Sequence, residues 1–141
     1  MVKKIIYLIG EKDSGKTITL NYLASLFPPK DISHQTPLIK DDCNYTIEYK
    51  GQVVVITTSG DAKKIIEENY EYCEKNKGNI WITAKRSKVH ATEIFSKFTT
   101  EDPIRKNKDV AKDPASVQSV NKNQAQKLKD LIEKIIDTFH K

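Results

Sequence analysis

Two glycines five residues apart, followed at once by lysine and threonine, stand between an apolar β-rich run and a helical pattern. The stretch reads Gly10-Glu11-Lys12-Asp13-Ser14-Gly15-Lys16-Thr17, and no other feature constrains the chain as much. A loop of that spacing turns several backbone N–H groups toward one point, where a polyphosphate can sit. Gly15 keeps a side chain out of the approach. Lys16 would reach the β- and γ-phosphates, and the Thr17 hydroxyl would hold a Mg²⁺ ion. The helix that begins near Gly15 or Lys16 would add the positive end of its dipole. At average residue frequencies the four fixed positions recur by chance in roughly a few of every thousand chains this long.

The context sharpens the reading. Upstream, Lys3-Lys4-Ile5-Ile6-Tyr7-Leu8-Ile9 is the kind of run a buried parallel strand shows. Downstream, Ile18, Leu20, Tyr22, Leu23, Leu26 and Phe27 keep helical spacing until Pro28-Pro29. With these residues in place, the first quarter or so of the chain resembles the P-loop NTPase superfamily. The resemblance implies that residues 10–17 hold a nucleoside triphosphate with Mg²⁺, and that Lys16 serves the chemistry.

With 141 residues the chain is expected to be one domain, 1–141, large enough for a hydrophobic core but with little room for a lid or second module. No apolar run approaches the ~20 residues of a membrane span, and Ile5 to Ile9 is too short for a signal peptide core. Cys43 and Cys73 lie far apart without metal-ligand spacing, so they read as free thiols of a reducing cytoplasm. The net charge of +5 comes almost wholly from lysine, with Arg86 and Arg105 the only arginines. Lysines scattered among 19 acidic residues read as a solvated surface and do not favour a nucleic-acid partner.

Residues 28–42 form a polar stretch with three prolines and no periodicity, read as a long functional loop. Tyr45-Thr46-Ile47-Glu48-Tyr49 and Gln52-Val53-Val54-Val55-Ile56-Thr57 are strand-like and separated only by Lys50-Gly51, which permits nothing but an antiparallel hairpin. The first alternates and suits an edge; the second is continuously apolar and suits the interior. A helix opened by Ser59-Gly60-Asp61 follows, then a strand at Asn79-Ile80-Trp81-Ile82-Thr83. The basic loop Ala84-Lys85-Arg86-Ser87-Lys88 and a helix over about residues 89–98 come next. Ile104 marks a short further strand. Leu128, Leu131, Ile132, Ile135, Ile136 and Phe139 give the last helix an apolar stripe for the core. The expected fold is α/β: a three-layer α/β/α sandwich with a mostly parallel sheet of four or five strands and one antiparallel hairpin strand.

The loop, the hairpin and the turn after it resemble the layout of the small GTPases and their relatives, where an Asp-x-x-Gly turn meets the Mg²⁺ shell and the γ-phosphate. That resemblance implies Thr58 and Gly60 as nucleotide contacts, with Thr57 standing where the family has Asp. Asp61 is the candidate to supply the missing charge to the metal beside Thr17; its alternative is to cap the following helix. Thr36 takes the place of a Mg²⁺-sensing threonine, and His34, Asp41 and Asp42 are further metal- or water-positioning candidates. No Asn-Lys-x-Asp guanine reader is found; Asn107-Lys108-Asp109 and Asn121-Lys122-Asn123-Gln124 only approach it. ATP is therefore slightly favoured over GTP. A small P-loop kinase is the alternative, with Arg86 stabilising transferred charge. A non-hydrolysing switch with a protein partner is the third reading.

Overall fold

The computed structural model describes residues 2–89 and 92–140, with only the backbone of Thr92. The chain folds as an α/β protein with a six-stranded mixed sheet and four α-helices. In chain order the elements are β1 (Lys4–Gly10), α1 (Lys16–Ser25), β2 (Ile32–Pro37), β3 (Cys43–Tyr49) and β4 (Gln52–Thr57). They continue with α2 (Lys63–Lys75), β5 (Ile80–Arg86), α3 (Thr92–Phe98), β6 (Ile104–Asn107) and α4 (Val117–Phe139).

The strand order is β2-β3-β4-β5-β1-β6. Strands β4, β5, β1 and β6 are parallel, while β3 runs antiparallel to both β4 and β2. Strand β1 is an interior strand and its side chains feed two cores in alternation, which is why its sequence is a continuous apolar run from Ile5 to Ile9. Ile6 and Leu8 join Leu20 and Leu23 of α1 and Leu128, Ile132 and Ile136 of α4. Ile5, Tyr7 and Ile9 join Ile66 and Cys73 of α2 and Ile94 and Phe95 of α3. The last helix thus uses its stripe as expected. Among the described residues no helix is long and apolar enough to cross a membrane.

Three expectations change. The sheet has six strands, because residues 28–42 contain β2. Five of its six residues are exposed, so no apolar period announced it, and its identity as a strand comes from pairing with β3. Strand β3 is consequently interior, not an edge, and five of its residues, Asn44 and Thr46 among them, are buried. Strand β5 runs on through Ala84, Lys85 and Arg86, opposite Leu8, Ile9 and Gly10, where a loop was expected.

Candidate functional site

Gly10 is the last residue of β1, and Arg86, the last of β5, lies opposite it. The chain then turns through Asp13, at φ 60°, and Gly15, at φ 94°, before α1 begins at Lys16. The left-handed Gly15 is the N-cap of α1, and no side chain caps the helix there. The first-turn amides consequently lack the side-chain acceptor that most helices carry. A methyl group on Gly10 would come within 2.8 Å of Lys108 Cβ and Ser14 Oγ; one on Gly15 would press on the Asn121 carboxamide at about 3.0 Å. Both glycines are needed because neighbouring groups crowd the backbone.

Lys16 folds back over this loop. Its Nζ donates to the Gly10 carbonyl at 2.9 Å and the Glu11 carbonyl at 2.6 Å, and stands 3.5 Å from Ser14 Oγ. Burial pushes its amine below the usual lysine range; Asp61 opposes this and the Arg86 charge adds to it. Lys108, which follows β6 and is equally buried, donates its backbone N–H to the Ile9 carbonyl at 2.8 Å. Burial lowers its amine too; Asp109 opposes that, and Lys16 adds to the lowering. Gly10 thus has the Lys16 amine on its carbonyl, the Lys108 side-chain stem against its Cα and the Arg86 backbone opposite it in the sheet. Arg86 donates its backbone N–H to the Gly60 carbonyl at 3.0 Å, and its Nε is buried with no hydrogen-bond partner among the described residues.

The loop opens on a cleft of about 370 Å³ lined by residues 12–18, 40–42 and 58–61. Of the residues singled out in the sequence, Lys12, Asp13, Ser14, Gly15, Lys16, Thr17, Asp41, Asp42, Thr58, Gly60 and Asp61 are on its wall, while Gly10, Glu11 and Arg86 are not. Gly60 has a structural reason to be glycine, since a Cβ there would stand 1.9 Å from the Ala84 carbonyl oxygen. Asp61 is exposed and does not cap α2, whose N-cap is Ala62 without a side-chain bond.

The group at Thr17 was not the expected one. Thr17 Oγ1 donates to Asp42 Oδ1 at 3.0 Å and lies 3.4 Å from the Thr58 carbonyl. Thr58 Oγ1 donates to the same Asp42 oxygen at 2.8 Å and accepts from the Cys43 backbone N–H at 2.9 Å. Two hydroxyls and one carboxylate thus share a corner of the cleft. Among the described residues no group of three or more His, Cys, Asp or Glu side chains could hold a metal ion.

Several other candidates fall elsewhere. Thr57 is fully buried, donating to Thr83 Oγ1 at 2.7 Å and accepting from Trp81 Nε1 at 2.9 Å, so its side chain serves the core and not the cleft. Thr36 and His34 sit on exposed β2 opposite Asn44 and Thr46. His140 meets the Lys50 carbonyl at 3.3 Å, and His90 is outside the described residues. Lys85 is 2 % exposed within β5 and is no loop cation for a phosphoryl acceptor site.

The hairpin explains how Asp42, a metal- or water-positioning candidate of the long polar stretch, comes to lie here. The two-residue turn at Lys50-Gly51 fixes the hairpin register, and pairing outward from it brings Asn44 opposite Thr57. The next two steps place Asp42 at the level of Ser59. Comparison with protein-family models, curated proteins and solved structures found no match for this chain.

Proposed function

We propose that the chain binds a Mg²⁺–nucleoside triphosphate with its phosphates in the 10–17 loop, ATP slightly favoured over GTP. In this role it is a slow NTPase or a nucleotide-dependent switch of the cytoplasm, with a protein partner. The observation that carries this is the geometry of the 10–17 loop, where Lys16 folds over the turn between Gly10 and the left-handed Gly15 at the mouth of an open cleft. Lys16 and Lys108 are both buried; the Arg86 charge adds to the lowering of the Lys16 amine and the Lys16 charge to that of Lys108, while the acids that oppose Lys16 are exposed. Burying like charges together is costly, and a bound polyanion removes the cost. The uncapped start of α1 and the open cleft supply amides and space for it.

The finer architecture belongs to the same proposal. With α1 and α4 over one sheet face and α2 and α3 over the other, the fold is a three-layer α/β/α sandwich. Strands β1 and β5 then send their chains to opposite faces, and the crevice at their carboxyl ends is where open α/β sheets take ligands. Thr17, Thr58 and Asp42 are hard oxygen donors that suit Mg²⁺, which needs one or two protein oxygens and takes the rest from phosphate and water. Bound there, the ion would neutralise charge on the phosphates. Lys16 would leave its two loop carbonyls for phosphate oxygens, and Arg86 would stabilise charge that grows during hydrolysis.

Displacement of a fluorescent triphosphate analogue by ATP and by GTP, with Mg²⁺ present, tests the binding. Displacement at micromolar to sub-millimolar nucleotide is expected; none at several millimolar of either ends the proposal. Phosphate release measured on the same samples separates a slow hydrolase from a silent switch.

A further inference from the structure

We propose that Asp42 is the acidic partner of the divalent cation that accompanies the triphosphate, supplied by the tip of the β2–β3 hairpin instead of the end of β4. This rests on the triphosphate reading above. The end of β4 carries no acid: Thr57 faces the core, and Thr58 offers a hydroxyl. The topology brings one from elsewhere. Because β3 runs antiparallel to β4, the residues just before it return to the edge where the parallel strands end. Asp42 is the residue immediately before β3.

Its carboxylate is held in place. Oδ1 accepts from both the Thr17 and Thr58 hydroxyls, and the Cys43 N–H fixes Thr58 from the other side. The tip itself is closed by the Leu38 N–H on the Asp42 carbonyl at 2.9 Å and by Lys40 in the left-handed region at φ 57°. Asn21 of α1 donates to the Asp41 carbonyl at 2.9 Å, so the tip leans on the helix that begins with the phosphate loop. Thr17 can go on donating its proton to Asp42 while a lone pair of the same oxygen faces a cation, and the carboxylate makes that oxygen a better ligand. Of the other acids on the wall, Asp13, Asp41 and Asp61, it is Asp61 that acts most strongly on the Lys16 amine through its charge. Asp42 and Asp61 therefore divide the work: Asp42 serves the cation and Asp61 the lysine. A consequence is that cation binding fastens the hairpin tip to α1.

The test uses Mn²⁺ as the probe. Loss of the free Mn²⁺ resonance is followed with ATP and with GTP, for the wild type, Asp42→Asn and Asp61→Asn, alongside nucleotide affinity in EDTA. Asp42→Asn is expected to lose about 10-fold or more of the cation-dependent gain in affinity. In EDTA its nucleotide affinity is expected to stay the same or tighten, since a negative charge near the phosphates has gone. Asp61→Asn keeps the gain. Asp42→Cys should recover it with Cd²⁺ but not Mg²⁺, a thiolate preference that a purely structural role does not produce. Retention of the gain in Asp42→Asn with its loss in Asp61→Asn overturns the assignment and leaves triphosphate binding intact. A wild type that binds neither nucleotide, with Mn²⁺ or in EDTA, overturns both.

Discussion

Glu133 on α4 ties the last helix to the β3–β4 hairpin, and its removal should cost stability in a pH-dependent way. Its carboxylate accepts from Tyr49 Oη at 2.6 Å, Lys50 Nζ at 2.8 Å and Lys129 Nζ at 2.8 Å. Burial pushes the carboxyl up, but the hydrogen bonds from Lys129, Lys50 and Tyr49 outweigh it and hold the group at about 2 against an ordinary 4.5. A depression of that size corresponds to about 3 kcal/mol at most. With 26 % of the side chain exposed, screening by solvent brings the expected cost of Glu133→Gln to about 1–2 kcal/mol at pH 7. The sign follows from the lowered value: the contribution is complete above about 4.5 and is lost as pH falls from there toward 2. Urea unfolding of both proteins at pH 7 and pH 3 measures it. The gap between wild type and Glu133→Gln should shrink on acidification. An equal gap at both pH values, or none at pH 7, refutes the argument.

Three further outcomes are expected. Gly60→Ala places a methyl group against the Ala84 carbonyl, a backbone atom that cannot swing away, and should lower stability by about 2–4 kcal/mol in thermal unfolding. Thr57→Val strands the Trp81 indole N–H and should cost about 1–3 kcal/mol in urea while leaving nucleotide affinity unchanged; a changed affinity would put Thr57 back in the site. The Cys73 thiol, pushed up to about 12 by burial above all, should resist a disulfide reagent at pH 8 until denaturant is added.

The sequence disclosed those elements whose burial is written as an apolar period. Strand β1, strand β4 and the stripe of α4 sit where their patterns placed them, because each faces a core on at least one side. The Lys50-Gly51 hairpin was legible from the length of its link, and the short strand at Ile104 only from one apolar residue in a polar stretch. Strand β2 was not, since it is an exposed edge held by backbone pairing to β3, which leaves no side-chain trace. Strand β5 outran its apolar run because Lys85 and Arg86 continue the pairing with β1 as charged residues.

The same distinction governs the site. The 10–17 loop is local, so its glycines, its lysine and its threonine were all visible in eight residues. Asp42, Lys108 and Asn121 reach it from three distant segments: the hairpin register brings Asp42, the sheet order Lys108 and the packing of α4 Asn121. Thr57 misled because alignment to a family turn gave it a place in the cleft, whereas strand alternation points it at Trp81.

Isothermal titration of ATP, GTP and inorganic tripolyphosphate into the wild type and Lys16→Ala, with Mg²⁺, tests the central claim most directly. The account predicts that at least one nucleotide binds the wild type below millimolar and that tripolyphosphate competes with it, because the phosphates make the contacts. It also predicts that Lys16→Ala loses about 10-fold or more of that affinity, as expected for a charge-assisted contact of about 1.5–3 kcal/mol. Nucleotide binding that is indifferent to Lys16→Ala and to tripolyphosphate would contradict it.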